Sequence, residues 1–220
     1  MKKIEKTRYS LLVLCLLAAG GSALCFLREY GVTYLLRGSE PEIIAGIKAA
    51  DAENDLPMSA RGTRELITKC ANLSLASPQL AAAPVDRAAF NESCSALAKS
   101  ILDRNPSSSR TLAAKLVFTD ALTTADYAAA QQSAPYEPWP LGTRLLVLER
   151  NAPLSADLLP IAEADIAAAF VSSWGRELLA GIYIRKEPLR PLILKVAETR
   201  PPEEQRAFLQ MTRKQVRTDG

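Results

Sequence analysis

Chemically capable side chains are unevenly supplied in this 220-residue chain, which has 24 acidic residues, four cysteines and no histidine. Without histidine there is no Ser-His-Asp or Cys-His nucleophile and no His-based metal site. Cys15, Cys25, Cys70 and Cys94 form no Cys-x-x-Cys pair, which excludes a zinc knuckle and a thioredoxin-type redox motif. The glycines beyond residue 28 are scattered, so no phosphate-cradling loop is expected. Paired carboxylates remain, because glycoside cleavage needs only two acids at a suitable separation. Glu137, Glu149, Glu163, Asp165 and Glu177 qualify by type. Each is expected instead on a solvated helix face near Lys or Arg. Catalytic residues, cofactor and metal are all expected to be absent.

The rarer side chains gather in "SAPYEPWPLGTRLLVLERNAP", residues 133–153. As a binding ledge, Tyr136 and Trp139 would stack on a sugar face or a partner's apolar side chain, with Arg144, and Arg150 beyond it, reaching acidic groups. As a helix-to-helix corner, Pro135 and Pro138 would end one helix, Pro140 would start the next, and Trp139 would plug the seam. The proline positions fit helix boundaries and favour the corner. Trp174 and Arg176 lean further toward the core.

The chain opens on the basic "MKKIEKTR" and continues into residues 9–27, 19 residues without a charge. A run of that length can cross a bilayer as a helix. Lys2, Lys3, Lys6 and Arg8 against Glu5 favour a cytoplasmic N-terminus. The remainder would then lie across the membrane, in the periplasm of a Gram-negative cell. Ala19-Gly20-Gly21 also resembles a cleavage site, but the apolar run continues past it, which favours an uncleaved anchor. A lipobox fits less well, since Leu precedes both Cys15 and Cys25. The formal charge of +3 resides in the first eight residues, leaving 23 basic and 23 acidic side chains from residue 28 onward. Nucleic-acid binding is therefore not expected.

The expected organisation is a tail over 1–8, a transmembrane helix over 9–27, a linker over 28–38 and a helical domain over 39–220. Abundant Ala, scarce Gly and the lack of β-alternation make that domain all-α. Ser39 with Glu42 forms a capping box. Leu66, Cys70 and Leu73 share one helix face, as do Phe90, Cys94, Leu97 and Ile101. "SLASPQLAAAPV" between them reads as a loop. A helix over about 108–122 should bury Ala113, Val117 and Ala121. Thr123 with Asp126 caps the next, and Leu141, Leu145 and Leu148 line the one after. Pro160 and Pro202 open later helices. Ala162, Ile166 and Ala169 should face inward from the former. Trp174, Leu178 and Ile182 should do so from the helix that follows it. Short helices joined at prolines suggest stacked antiparallel hairpins. The two cysteine-bearing faces, packed together, would bring Cys70 and Cys94 within bonding reach, the alternative being two reduced, buried thiols.

With Ala113, Ala114, Tyr127, Ala130 and closing Pro135, residues 108–135 resemble one degenerate tetratricopeptide hairpin. The layout of basic start, single span and Ala-rich exported domain carrying "SAPYEPWPLGTR" resembles small single-span proteins of alphaproteobacterial exopolysaccharide-assembly clusters. That resemblance implies a non-enzymatic adaptor for a polytopic inner-membrane polysaccharide polymerase or transporter. Ala18-Ala19-Gly20-Gly21-Ser22-Ala23 would permit close helix approach in the span. A carboxylate-dependent glycan enzyme and an assembly factor for secretion or division are the alternatives. Oligomeric state is left open.

Overall fold

The computed structural model describes the backbone of residues 2–52, 55–119 and 121–218, and side chains there except at 2–16, 24, 25 and 218. All its regular elements are helical: α1 (Lys2–Leu36), α2 (Glu40–Ala49), α3 (Ala60–Ala76), α4 (Pro78–Ala82), α5 (Pro84–Arg104) and α6 (Ser109–Phe118) come first. Then follow α7 (Thr124–Ser133), α8 (Pro138–Asn151), α9 (Leu159–Phe170), α10 (Ser173–Arg185), a 3-10 turn (Glu187–Leu189), α11 (Arg190–Glu198) and α12 (Pro202–Thr218). No strand occurs among the described residues.

Proline occupies one of the first two positions of α2, α4, α5, α8, α9 and α11. An amide hydrogen missing there costs nothing, because the first turn has no carbonyl to bond it. Side-chain caps account for other starts. Ser39 and Glu42 complete the capping box of α2, and Thr123 accepts from the Asp126 amide at α7.

Helices adjacent in the chain pack on one another (α5 on α6, α6 on α7, α7 on α8, α9 on α10), and α3·α5, α3·α6, α6·α8 and α10·α12 contacts tie these neighbours together. One continuous core results, from Val32 of α1 to Phe208 of α12. The stripes Leu66, Cys70, Leu73 and Phe90, Cys94, Leu97, Ile101 lie in it as expected, with Cys70 bonded to Cys94 across a Cα separation of 5.9 Å. Leu141, Leu145, Leu148 and Ala162, Ile166, Ala169 are buried too. In α10 the buried positions are Gly175, Leu179, Ala180, Gly181 and Ile182, while Trp174 and Leu178 are only half-buried.

Four local expectations are corrected. The expected loop over 74–85 is the end of α3, the short helix α4 and the start of α5, because Pro78 and Pro84 each begin a helix. Helix α6 ends at Phe118, four residues early, and Ala121 is exposed. Helix α8 starts at Pro138 and not at Pro140. The expected linker is a continuation of α1 as far as Leu36. Among the described residues no helix is long and apolar enough to cross a membrane. The span expected at 9–27 includes residues 9–16, 24 and 25, whose side chains, those of Cys15 and Cys25 included, lie outside the described ones.

The domain end of α1 is firmly seated. Glu29 accepts from the Ser59 amide at 2.5 Å and from its hydroxyl at 2.8 Å, while Ser59 caps α3 by accepting from the Gly62 amide. A Cβ on Gly62 would stand 2.7 Å from Glu29 Oε2 and 2.8 Å from Pro57 Cβ, so only glycine allows this approach of α1 to α3.

Candidate functional site

Helix α8 carries the residues singled out in the sequence, and the structure sends them to different places. Tyr136 is 72% exposed just ahead of it. Trp139 is half-buried in its first turn. Arg144 is wholly enclosed, at 0% exposure, which rules out the surface role expected of it. Arg150 folds onto the last turn of α6, donating to the carbonyls of Val117 at 2.8 Å and Leu116 at 3.2 Å.

The Arg144 guanidinium is satisfied inside the protein. It donates to Asp165 through Nε at 2.8 Å and Nη2 at 2.9 Å, and to the carbonyls of Ala130, Ala134 and Pro135 at 3.2, 3.0 and 3.4 Å. Those five bonds use its whole donor fork. The three bonds to carbonyls close the C-terminal end of α7, where the last helix carbonyls lack intrahelical partners. Asp165 also accepts from the Tyr127 hydroxyl at 2.6 Å and from Gln131 Nε2 at 2.9 Å. Its expected place on a solvated face is therefore corrected: it is 1% exposed. Burial first, and the Asp165 charge second, push the Tyr127 hydroxyl well above its ordinary range, so it stays protonated and donating. Arg144, Asp165 and Tyr127 are sealed from solvent, and their chemistry is structural.

The other acids stand apart. Glu149 holds Arg185 in two bonds of 2.8 and 3.0 Å, Glu163 pairs with Lys195, and Glu177 is exposed on α10. Glu137 is exposed, with the Ser109 hydroxyl 3.4 Å away. Among the described residues no His, Cys, Asp or Glu cluster could hold a metal.

A cleft of about 740 Å³ opens where the start of α3, the end of α5, the start of α6 and the start of α8 converge. That volume lies within the roughly 300–1,000 Å³ of small-ligand sites. Arg64, Arg104, Arg110, Glu137 and Trp139 line it, with an apolar wall at Leu56–Met58. The Arg110 guanidinium lies 5.2 Å from the centre of the Trp139 ring. Of the four residues expected to bind a partner, the cleft thus takes Trp139 alone. Arg64, Arg104 and Arg110 were not anticipated, since each lies near a different helix end and no sequence period links them.

No protein-family model, curated protein or solved structure matches this chain.

Proposed function

We propose that the chain is a non-enzymatic, membrane-anchored adaptor in cell-envelope polysaccharide synthesis or export. Residues 9–27 span the inner membrane, the N-terminus is cytoplasmic, and the helical domain stands in the periplasm against a polytopic polymerase or transporter. The observation that supports this most is the continuity of α1, one 35-residue helix that begins before the uncharged run and ends inside the domain core. At about 1.5 Å per residue, 19 residues extend about 29 Å, close to the roughly 30 Å hydrocarbon thickness. An anchor that is one piece with its domain fixes that domain's height above the bilayer, as an adaptor requires.

Side chains at the exit of the run support the same reading. Phe26 and Leu27 are 66% and 65% exposed, and exposed apolar side chains there need apolar surroundings. Phe26, Tyr30 and Tyr34 stack one turn apart, with centroids 5.9 and 6.3 Å from one to the next, where interfacial aromatics are common. A reporter active only in the periplasm, fused at the C-terminus, should be active. A mature chain beginning near Ser22 would contradict the anchor. One observation favours the enzymatic alternative: Glu137 lines the cleft. Glu137→Gln should leave polymer output unchanged in a folded protein, and its loss would support the enzyme.

A further inference from the structure

Where α1 leaves the uncharged run, a pocket of about 500 Å³ separates it from the rest of the domain. Residues 27–35 of α1 form one wall, the end of α2 forms another, and the buried Leu66 of α3 and Leu97 of α5 also line it. At one end Leu35 is pressed onto α2, since a Cβ on Gly46 would stand 2.1 Å from Leu35 Cδ1. At the other end is Leu27, the last residue of the uncharged run. Between them a Cβ on Gly31 would meet nothing within 4 Å, so α1 faces open space there. Among the described residues only Arg28 and Asp55 bring charge to the lining, and Asp55 already accepts from the Asp51 amide at 2.8 Å.

We infer that this pocket holds one acyl chain of a membrane lipid, turned out of the bilayer along α1 between Leu27 and Leu35. Size excludes a partner helix. Residues 27–35 rise about 12 Å, and a helix about 10 Å across fills roughly 900 Å³ over that length, more than the pocket offers. Chemistry disfavours a water-soluble ligand, which would find two charged groups on an otherwise apolar lining and no convergent set of polar ones. An acyl chain is thin and wholly apolar, and moving its methylenes from hydrocarbon to an apolar wall exposes none of them to water. Leu27 puts one end of the pocket at the edge of the hydrocarbon layer, and Arg28 beside it stands at the level of the lipid phosphates. The inference rests on the membrane-anchored reading and deepens it, because one lipid then touches anchor and domain together.

The experiment places the full chain in vesicles of phosphatidylethanolamine and phosphatidylglycerol, part of the latter carrying a diazirine at the end of one acyl chain. Ultraviolet light fixes the contacts, flotation separates vesicle-bound chain, and peptide mass spectrometry locates the adducts. Adducts are expected on peptides carrying residues 46–50, Leu66 and Leu97, all outside the uncharged run. Gly31→Phe fills the pocket and should lower those adducts at least about tenfold, the equivalent of excluding about two methylenes, while adducts within 9–27 persist. Its melting temperature shows whether the variant is folded; if it is not, Ala49→Phe, from the exposed end of α2, takes its place. Adducts confined to α1 overturn the inference, since the pocket then holds water or a partner's side chain. Domain adducts that the filled pocket leaves unchanged are chance collisions and overturn it too. A chain that floats without domain adducts keeps the anchor and loses the pocket lipid. A chain that does not float contradicts the anchor, and the inference falls with it.

Discussion

Asp165→Asn leaves the Arg144 guanidinium enclosed with its charge uncompensated. Breaking one member of a buried pair costs about 3–5 kcal/mol, so chemical denaturation should show a loss of that size. Tyr127→Phe removes one donor to the same carboxylate and should cost about 1–3 kcal/mol. It should also change the alkaline limb. Folding raises the Tyr127 hydroxyl above its ordinary 10.0, so its contribution is intact below that pH. It is lost as pH rises through the folded value. Unfolding on the alkaline side should therefore be less steep in Tyr127→Phe; an identical slope would show that the hydroxyl does not titrate with unfolding. Neither Arg144 nor Asp165 was legible as buried. A charged side chain on a helix reads as solvated unless its partner is known, and this partner lies 21 residues away on another helix.

At the scale of the helix, arginines do what C-terminal glycines do in many proteins. Arg144 closes α7 and Arg150 closes α6. Arg176 donates to the Phe170 carbonyl at the end of α9, and Arg190 to Tyr183 and Ile184 in the last turn of α10. Positive charge there also meets the negative end of the helix dipole. Arg190→Met should lower stability by about 1 kcal/mol while keeping helicity by circular dichroism. Some helix starts were legible, because Ser39, Thr123 and Pro202 carry their reason in the local sequence. Other boundaries were not: α6 stops at Phe118, where Arg150 donates to the carbonyls of Leu116 and Val117, and α8 starts two residues before Pro140 because Pro138 already fits the first position. The cysteine stripes were legible because the pairing follows from two periodic faces. Cys70 and Cys94 linked should stabilise the domain by about 3 kcal/mol in the chain-entropy model. Non-reducing peptide mapping with thiol blocking should return the 70–94 linkage, and alkylation of both thiols would reject it.

For the whole molecule, coupling between α1 and the helices it packs on is the property that sequence alone did not convey. The 28–38 stretch has no strong periodic signal, yet it is helical to Leu36 and buries Val32. Its order comes from contacts made 30 residues away, where Glu29 meets Ser59. Gly62→Val should force α1 off α3, because even a Cβ meets Pro57 and Glu29 below 3.0 Å. The domain should stay folded while the Tyr30 and Tyr34 region gains proteolytic sensitivity. The cleft belongs to this scale as well, since four helix ends build it and only Trp139 announced it.

As proposed, this chain ties a helical domain to a membrane-embedded polysaccharide machine. Purification of the full chain in mild detergent, with mass-spectrometric identification and quantification of what accompanies it, tests that directly. A near-stoichiometric polytopic polymerase or transporter of an envelope polysaccharide should accompany the chain and be lost when residues 9–27 are replaced by an unrelated span. Recovery of the chain alone, or of the same partner irrespective of the span, would contradict it.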